Sequence, residues 1–588
     1  MRPITLLVAK HFAILALLAL VSLPAEAQAV AGSKTSTDLN APVGGPPQMI
    51  VYDAAGRFAR ETPVDKRPEW YAAQGNGTAD DTAALQAALG TCGTVRLTPG
   101  RTYRTTSQLT LSCDVEIQAA GSTLLIDHAG IGIENGDHDL TIRGGTLDGN
   151  GRASRAVSGD QATIVIDGVT IRDLYSTSGG TQAVLVGNNS TLRVTGSTFE
   201  RVRALANGTI GDSDGVARGI QLSANGTTTA VIEGNTFRDI NSVTAGGANT
   251  HEDADGVHLF RLSGGGAPYA EIRDNRFVGV GKRAVKAQGT EEGVVEGNEI
   301  VADWPDNTEG MGSAIALIDA RLDRISGNVI RGNSMLIGIS IETIGTARGE
   351  KMVVSDNLIE PDAFYEQVDG GFTVGILILT GASNIRLSGN EVRRFGTGIR
   401  VGVVDRLTVS DNVLAENSSG FVTTGALTNS ALTGNTVLGR ASASGVGFYF
   451  SAGSTGNTLS GNSISTVNDG LSFPSGASGN VVVGNYVGGV GRSGSQDTKG
   501  QNVFIGNGGA LARRERGTAT LSAGVTQLLV PHTLGGRLSI DGIRISPNDT
   551  LGAASQMWVD GVNSTVIVVK TDVAPGVPIP FSWEAVAE

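Results

Sequence analysis

A short phrase that recurs along the chain constrains the fold more than any other feature. It reads apolar, any residue, Gly or Asp, Asn, any residue, apolar, as in IEGNTF, LSGNEV and VVGNYV. Successive copies are 22 to 40 residues apart, and their asparagines are Asn235, Asn275, Asn298, Asn328, Asn357, Asn390, Asn412, Asn435, Asn462 and Asn485. Repeats of this length indicate a solenoid in which each repeat forms one coil.

The pattern inside each repeat indicates which kind of solenoid forms. Apolar residues alternate with polar ones, as in strands that bury one face. Gly or Asp followed by Asn suits a turn with left-handed backbone angles, and stacked Asn side chains can hydrogen-bond in a ladder. Gly is abundant, with 84 of 588 residues, which fits many tight turns. We therefore predict an all-β fold, a parallel β-helix, rather than about four domains of ~150 residues.

A second apolar strand follows the turn of each repeat, as in GIQLS, GVHLF and AVKAQ. Aligning these strands leaves one outward residue between two inward ones. The predicted outward column is Gln221, His258, Lys286, Ala316, Ser340, Leu377 and Arg400. Because neighbouring coils lie ~4.8 Å apart, the first three should be consecutive rungs on one exposed sheet face.

The chain ends suggest how the protein is organised. Residues 1–29 have Arg2 and Lys10, an apolar run of twelve residues and small residues beyond it. That run is too short to span a membrane, which takes about 20 residues, and is typical of a cleaved signal peptide. We predict a secreted or periplasmic protein with no membrane span. The predicted boundaries are 30–66 for a spacer and N-terminal segment, 67–490 for the capped β-helix, 491–516 for a linker and 517–588 for a five-stranded β-sandwich.

Two further features concern the first coils. Residues 72–89 predict a Gly-rich turn and a short helix with Asp80 or Asp81 as its N-cap, which would cover the open end of the core. Cys92 and Cys113 each precede a predicted strand. If those strands stack on successive coils, the two cysteines lie side by side and form a structural disulfide in an oxidising compartment.

The segment GNGTADDTAALQAAL followed by TVRLTPGRTYRT resembles the N-terminal signature of the pectate-lyase-like superfamily, in its rhamnogalacturonase/epimerase-like pectate lyase domain. The resemblance covers roughly residues 70–490 and implies a right-handed parallel β-helix with an N-terminal cap helix. It also implies a polysaccharide lyase, hydrolase, epimerase or tail-spike depolymerase. The pectin hydrolase motifs and a pectate lyase calcium set are not found. Residues 517–588 are similar to tail-spike modules, which implies a homotrimer.

Candidate site residues concentrate in four successive repeats. They are Asp212, Asp214, Arg218 and Gln221; His251, Glu252, Asp253, Asp255 and His258; Lys282, Arg283, Lys286 and Gln288; and Trp304. Tyr365 lies on a later insertion. The net charge of −13 excludes the basic footprint of a nucleic-acid binder. The local basic residues still favour an acidic polysaccharide as partner.

These residue types suit β-elimination, in which cations neutralise a uronate carboxylate and a base removes the adjacent proton. We predict Lys286 or His258 as the base, Arg283 and Lys282 as carboxylate neutralisers, and Asp253 with Asp255 as an orienting or metal-binding pair. Predicted substrate contacts are Gln221, Lys282, Arg218, Gln288, Trp304 and Tyr365.

Asp212 and Asp214, in DSDG, occupy the same phase as Asp253 and Asp255, in DADG. Such carboxylates can bind calcium, but Asp before Gly also forms ordinary turns. Two other functions stay open. One is a glycoside hydrolase using Asp214, Asp253 and Asp255, in which a carboxyl separation of ~6.5–9.5 Å would indicate inversion. The other is a non-catalytic, glycan-binding surface β-helix.

Overall fold

The structure is a computed structural model. It describes residues 49–587 apart from 53–57, 62–65, 207–214, 225–226, 248–252, 263–265, 303–311, 322, 333–335, 344–349, 364–372, 441–444, 491–492, 498–500, 510–513, 533, 535–537 and 564. The predicted signal peptide and the spacer up to residue 48 lie outside the described residues.

Three long parallel sheets form the body of the molecule, and each of fifteen complete coils contributes one strand to each sheet. Sheet A consists of Gly93–Arg96, Val115–Gln118, Leu140–Arg143, Thr163–Asp167, Thr191–Thr195, Thr229–Glu233, Tyr269–Arg273, Val294–Glu296, Arg324–Ser326, Val353–Ser355, Arg386–Ser388, Thr408–Ser410, Ala431–Thr433, Thr458–Ser460, Val481–Val483 and Val503–Ile505. This is the predicted right-handed parallel β-helix.

Sheet B begins with Asn76–Asp80, ahead of the first sheet A strand, and follows sheet A in every later coil. Its strands are Asn76–Asp80, Thr102–Thr105, Thr123–Ile126, Thr146–Asp148, Thr170–Ser176, Thr198–Leu205, Thr236–Val243, Arg276–Val280, Glu299–Val301, Val329–Gly332, Leu358–Pro361, Glu391–Arg393, Val413–Asn417, Thr436–Gly439, Ser463–Ser465, Tyr486–Gly488 and Gly508–Gly509.

Sheet C closes each coil and carries the candidate site. Its strands are Leu109–Thr110, Gly130–Glu134, Ala153–Gly159, Thr181–Val186, Ala217–Ala224, Ala254–Arg261, Arg283–Gln288, Ser313–Ile318, Ile337–Glu342, Val374–Ile378, Thr397–Val401, Ser419–Thr423, Val446–Tyr449, Asp469–Phe473 and Ser493–Asp497. A minor parallel pair, Val404–Asp405 and Leu427–Thr428, lies beside them.

The predicted asparagine ladder runs through the turns between sheets A and B. Asn298 donates from its backbone N and its side-chain Nδ2 to Oδ1 of Asn328, at 3.0 and 2.9 Å. Asn328 makes the same contacts with Asn357. The preceding Gly297 and Gly327 have φ angles of 65° and 64°. The left-handed turn and the ladder are therefore both confirmed.

The β-helix extends further than the sequence analysis predicts. The segment 491–516, assigned to a linker, instead contains the strands Ser493–Asp497, Val503–Ile505 and Gly508–Gly509, which continue the three sheets by pairing with strands of the coil before. Its Asn507 continues the ladder by accepting from Asn485. The prediction was wrong because QNVFIGN had not been recognised as a copy of the repeat.

A second asparagine ladder, which was not predicted, lies in the turns that precede the last strands of sheet A. Asn457 donates to Asn480, and Asn480 donates to Asn502. The sequence does contain its pattern, since two asparagines five residues apart flank a short strand in GNTLSGN, GNVVVGN and QNVFIGN. The last strands of sheet A, such as Val481–Val483, are therefore flanked at both ends by side-chain amides that bond to the next coil.

The N-terminal end is capped as predicted. Helix Thr82–Leu89 buries Leu85 and Leu89 against the first coils, after a 3₁₀ helix at Pro68–Tyr71. Asp80 accepts from the Thr82 backbone N–H at 3.0 Å. Further upstream, Met49–Tyr52 pairs with Phe58–Glu61 as an antiparallel hairpin.

The first two strands of sheet A are covalently linked. Cys92 and Cys113 form the predicted disulfide, with their Cα atoms 5.5 Å apart. The two following strands pair in parallel, with Gly93 opposite Val115. The bond therefore joins successive coils next to the cap helix.

The recurrent glycine of sheet C is required by the core. Gly256 lies inside strand Ala254–Arg261, and a Cβ there would sit 2.7 Å from the Phe277 ring. Gly219 is placed likewise against Phe237. The rings of Phe199, Phe237 and Phe277 stack on successive coils at 4.7 and 4.8 Å. The glycine in DADG thus makes room for an aromatic stack, and Asp255 does not belong to a turn.

The C-terminal part forms a small β-sandwich, as predicted. One sheet consists of Arg514–Leu521, Ile579–Ala587 and Leu538–Pro547, and the other of Gln527–Pro531, Val566–Thr571 and Met557–Val562. They share a core that includes Phe581, Ile567 and Val569. The described sheets hold six strands instead of the five predicted, because ATLSAGVTQLLV contains a turn between two strands.

Candidate active site

Sheet C places the predicted outward column in the predicted register. Gln221 pairs with His258, His258 with Lys286, and Lys286 with Ala316. The column continues through Ser340, Leu377 and Arg400. A second column beside it joins Arg218, Asp255 and Arg283. The two columns lie side by side and form one patch of adjacent side chains. The patch consists of Arg218, Gln221, Asp253, Asp255, His258, Arg283 and Lys286.

The patch is buried, which contradicts the expectation of an exposed face. His258 and Lys286 are 3% and 4% exposed, and Asp253 and Asp255 are fully buried. Arg283 is also buried, although its strand points it away from the solenoid core. A simple alternation rule misses this burial because it distinguishes only the core side of a strand from the outer side.

Charged groups within the patch contact one another at graded distances. Arg218 Nη2 donates to Asp253 Oδ2 at 2.8 Å. Arg283 Nη1 lies 3.2 Å from Asp255 Oδ1 and 3.5 Å from Asp253 Oδ1. Lys286 Nζ lies 3.9 Å from Asp253 Oδ1. Three cationic side chains thus surround two carboxylates, leaving a surplus of positive charge.

Several buried polar atoms of the patch have no hydrogen-bond partner among the described residues. They are Arg218 Nε, Asp253 Oδ1, Asp255 Oδ2 and both ring nitrogens of His258. His258 Nδ1 is 3.8 Å from Asp255 Oδ2, which is too long for a hydrogen bond. Buried polar groups are nearly always satisfied, so a cluster of exceptions is typical of a site organised for a function other than stability.

The two carboxyl groups titrate in opposite directions. Burial and the neighbouring Asp255 carboxylate raise the pKa of Asp253 to about 6. Burial opposes ionisation of Asp255 as well, but Arg283, His258, Lys286 and Arg218 together lower its pKa below the usual value. Two close carboxylates that share a set of cations are expected to separate in this way.

His258 is held in its neutral form. Burial lowers the pKa of its imidazole well below the usual value, and the Arg218 guanidinium lowers it further, against the opposing effect of Asp255. A neutral imidazole has a free lone pair and can accept a proton.

The other predicted substrate contacts vary in their placement. Gln221 is half-buried and accepts from Arg218 Nη1 at 2.8 Å. Lys282 is buried just before its strand, and Gln288 is half-buried opposite Phe260. Trp304, Tyr365, Asp212 and Asp214 lie outside the described residues, as do His251 and Glu252. Their roles stay predictions.

Ser242, which the sequence analysis does not predict, also contacts the patch. Ser242 is buried at the end of a sheet B strand, and its Oγ accepts from the Asp253 backbone N–H at 3.3 Å and donates to the Gly215 carbonyl at 2.6 Å. Ser242 helps to fix the position of Asp253. It belongs to a different sheet, so the sheet C alignment could not have revealed it.

Metal binding is not supported by the described part of the chain. It contains no group of three or more His, Cys, Asp or Glu side chains arranged to hold a metal ion.

Among the residues that the structure describes, no helix has the length and apolar character needed to cross a membrane.

One family model matches part of the chain. Residues 348–507 match the family described as periplasmic copper-binding protein (NosD). The matched segment contains the later coils and none of the patch. It has neither His nor Cys, and its one Met, Met352, is buried in the hydrophobic core. These are the side chains that copper prefers, so the residues present do not fit a copper site. The match supports a β-helix and gives no specific support to the pectate-lyase-like superfamily.

Several solved structures are similar to the chain. A mutant tailspike protein of E. coli bacteriophage HK620, in complex with a pentasaccharide, has 12% identity and a TM-score of 0.47, with 93% of this chain and 99% of that chain covered. The Streptococcus pneumoniae surface protein and adhesin PfbA has 15% identity and a TM-score of 0.40, with 63% and 99% covered.

The Azotobacter vinelandii mannuronan C-5 epimerase AlgE6 A-module has 15% identity and a TM-score of 0.28, with 76% of this chain and 99% of that chain covered. A search of curated protein sequences finds no match. At these levels of identity the likenesses concern the fold alone. The chemistry must be argued from the site.

Proposed function

We propose that this protein is an exported polysaccharide lyase that cleaves a uronate-containing polysaccharide by β-elimination. The observation that carries the proposal is the His258 imidazole. It is buried, neutral, without a hydrogen-bond partner among the described residues, and surrounded by cations. A lyase requires a proton acceptor of this kind beside positive charge that binds a uronate carboxylate.

The reaction follows from the charges of the patch. Arg283 and Lys286 bind the uronate carboxylate and thereby acidify the proton on the adjacent carbon C5. His258 takes that proton, the C5–H electron pair forms the C4–C5 double bond, and the bond from C4 to the glycosidic oxygen breaks. His258 then returns the proton to the departing oxygen. Asp255, 3.8 Å from His258 Nδ1, stabilises the imidazolium between the two steps.

His258 suits the role of base better than Lys286. Lys286 Nζ faces the Asp253 carboxyl group at 3.9 Å, so it already stands at ion-pair distance from a carboxyl group and is suited to binding another. Burial, together with the positive charges of Arg218, Lys286 and Arg283, lowers the pKa of the His258 imidazole and so favours its unprotonated form. The two sequence-based candidates for the base therefore separate into a base and a carboxylate-binding group.

The direct test is to incubate the purified full chain with alginate, polygalacturonate and bacterial exopolysaccharides. We expect ultraviolet absorbance from the unsaturated product, and its loss in His258→Ala and Lys286→Ala. Arg400→Ala is the matched control, since Arg400 lies further along the same column and should leave the rate unchanged. Retained glycan binding with no cleavage of any polymer would instead identify a non-catalytic binding protein.

A retaining glycoside hydrolase is the second candidate, and the oppositely shifted pKa values of Asp253 and Asp255 favour it. Such a pair can supply a protonated acid and an ionised nucleophile. One Arg283 nitrogen contacts both carboxylates at 3.5 and 3.2 Å, so those oxygens lie closer together than most of the ~6.5–9.5 Å range of inverting enzymes. Reducing ends without unsaturated product would support this candidate.

A further inference from the structure

A polar cleft adjoins the patch at its N-terminal side. It has a volume of about 310 Å³ and its lining includes Glu134, Arg155, Ser158, Asp160, Gln182 and Gln221. Gln221 belongs to both features, because it lines the cleft and also accepts a hydrogen bond from Arg218 of the patch.

The cleft and the patch lie on the same two columns of sheet C. Glu134 pairs with Ser158, Ser158 with Leu185, and Leu185 with Gln221, which is the rung before His258. The flanking column runs from Arg155 through Gln182 to Arg218. At ~4.8 Å per coil, Glu134 and His258 are four rungs apart, or about 19 Å, a distance that several linked sugars would span.

The polar groups of the cleft can bind sugar hydroxyls. Arg155 Nε donates to Gln182 Oε1 at 2.9 Å, which orients both side chains. Asp160 Oδ1 is buried and has no hydrogen-bond partner among the described residues. Gly187 lets that carboxylate lie against the backbone, since a Cβ there would be 2.8 Å from Asp160 Oδ1. An acceptor held in this way can receive a hydrogen bond from a hydroxyl or amide of a ligand.

The cleft and the patch differ in charge. The cleft has two carboxyl groups, Glu134 and Asp160, and one guanidinium, Arg155. The patch has Arg218, Arg283, Lys286 and the buried Lys282 against Asp253 and Asp255. A uronate carboxylate would therefore be stabilised in the patch and repelled in the cleft, and this difference selects among polymers.

We infer that the natural substrate is a heteropolysaccharide in which a uronate is linked to a neutral sugar, with the uronate in the patch and the neutral sugar in the cleft. This inference rests on the proposed function for the direction of the chain and for the identity of the uronate site. Under this inference, polymers in which every residue is a uronate are not preferred substrates.

The test compares binding of the full chain to two kinds of polymer. Alginate and polygalacturonate carry a carboxylate on every residue, whereas hyaluronan and similar polymers alternate a uronate with a neutral N-acetylhexosamine. We expect at least one alternating polymer to bind about tenfold more tightly than the homopolymers. In Glu134→Gln and Asp160→Asn, affinity for the homopolymers should rise several-fold because a repelling carboxylate has been removed.

Glu391→Gln is the matched control, since Glu391 lies on sheet B and should alter neither affinity. Equal binding, tighter binding of a homopolymer, no binding of any alternating polymer, or no effect of the two cleft variants would each overturn the inference. A binding preference without cleavage would remove the lyase proposal and keep this one. Cleavage of homopolymers at the same rate as alternating polymers would keep the lyase proposal and overturn this inference.

Discussion

Two columns of polar side chains run along this solenoid, and they are built on opposite principles. In the ladder from Asn235 to Asn507, neighbouring asparagines satisfy one another through backbone and side-chain hydrogen bonds. In the patch around His258, buried atoms stand at ion-pair distances with several hydrogen bonds unmade. Both columns are buried, and they differ in whether their hydrogen bonds are made.

The comparison implies that stability and activity depend on different columns. Each ladder rung removes the cost of burying an amide, whereas the patch retains unsatisfied polar atoms and crowded charges. Substitutions in the first should lower the free energy of unfolding and spare the chemistry. Substitutions in the patch should lower activity and leave the free energy of unfolding nearly unchanged.

The largest expected effect is on catalysis. His258→Gln should lower kcat by about 10²–10⁴-fold, the usual contribution of a general base, because glutamine cannot accept the proton. The unfolding midpoint in denaturant should not fall, since neither imidazole nitrogen has a hydrogen-bond partner among the described residues. A large loss of stability together with activity would mean that His258 is structural.

The next effect is on stability. Asn328→Ala should lower the free energy of unfolding by about 2 kcal/mol, because the buried backbone N–H and side-chain amide of Asn298 lose their shared acceptor. Activity per folded molecule should not change. Thr408→Ala is the control, since Thr408 is exposed on sheet A and should change stability by less than ~0.5 kcal/mol. Equal effects of the two variants would contradict a stabilising ladder.

The pH dependence of the rate should distinguish the two enzymatic functions, since above pH 6 the expected rates change several-fold in one case and hold in the other. A lyase that uses His258 requires the neutral imidazole, whose pKa is lowered well below its usual value, so its rate should hold as pH rises above 6. A hydrolase that uses protonated Asp253, with a pKa of about 6, should lose activity as pH rises through that value. Rates measured between about pH 4 and 9 on one polymer decide between them.

The smallest effect is expected at the end of the ladder. Asn507 is half-buried, and its Oδ1 accepts from Asn485 N and Nδ2 at 2.9 and 3.1 Å. Asn507→Ala removes the acceptor of these two hydrogen bonds, and water can take its place in part. The free energy of unfolding should therefore fall by less than about 1 kcal/mol. A loss as large as that for Asn328→Ala would show that the last coil holds the rest of the solenoid together.

Sequence reasoning predicted those features that repeat. The coil length, the left-handed residue before each asparagine, the disulfide and the rung order Gln221, His258, Lys286 all follow from local patterns with a fixed period. The burial of the patch did not follow, since alternation along a strand identifies only the side away from the core. The contact of Ser242 with Asp253 joins two sheets and has no signature in either strand alone. The final coil was missed although Asn502 and Asn507 show its pattern.

The stack of Phe199, Phe237 and Phe277 has a consequence for the accuracy of the site. The ring centroids lie 4.7 and 4.8 Å apart, which equals the spacing of hydrogen-bonded strands, so the apolar stack and the sheet hydrogen bonds support the same pitch in these three coils. The glycines that meet the rings, Gly219 and Gly256, directly follow Arg218 and Asp255 in the chain. The charged side chains of sheet C therefore lie on strands whose spacing is supported by packed apolar rings as well as by the sheet.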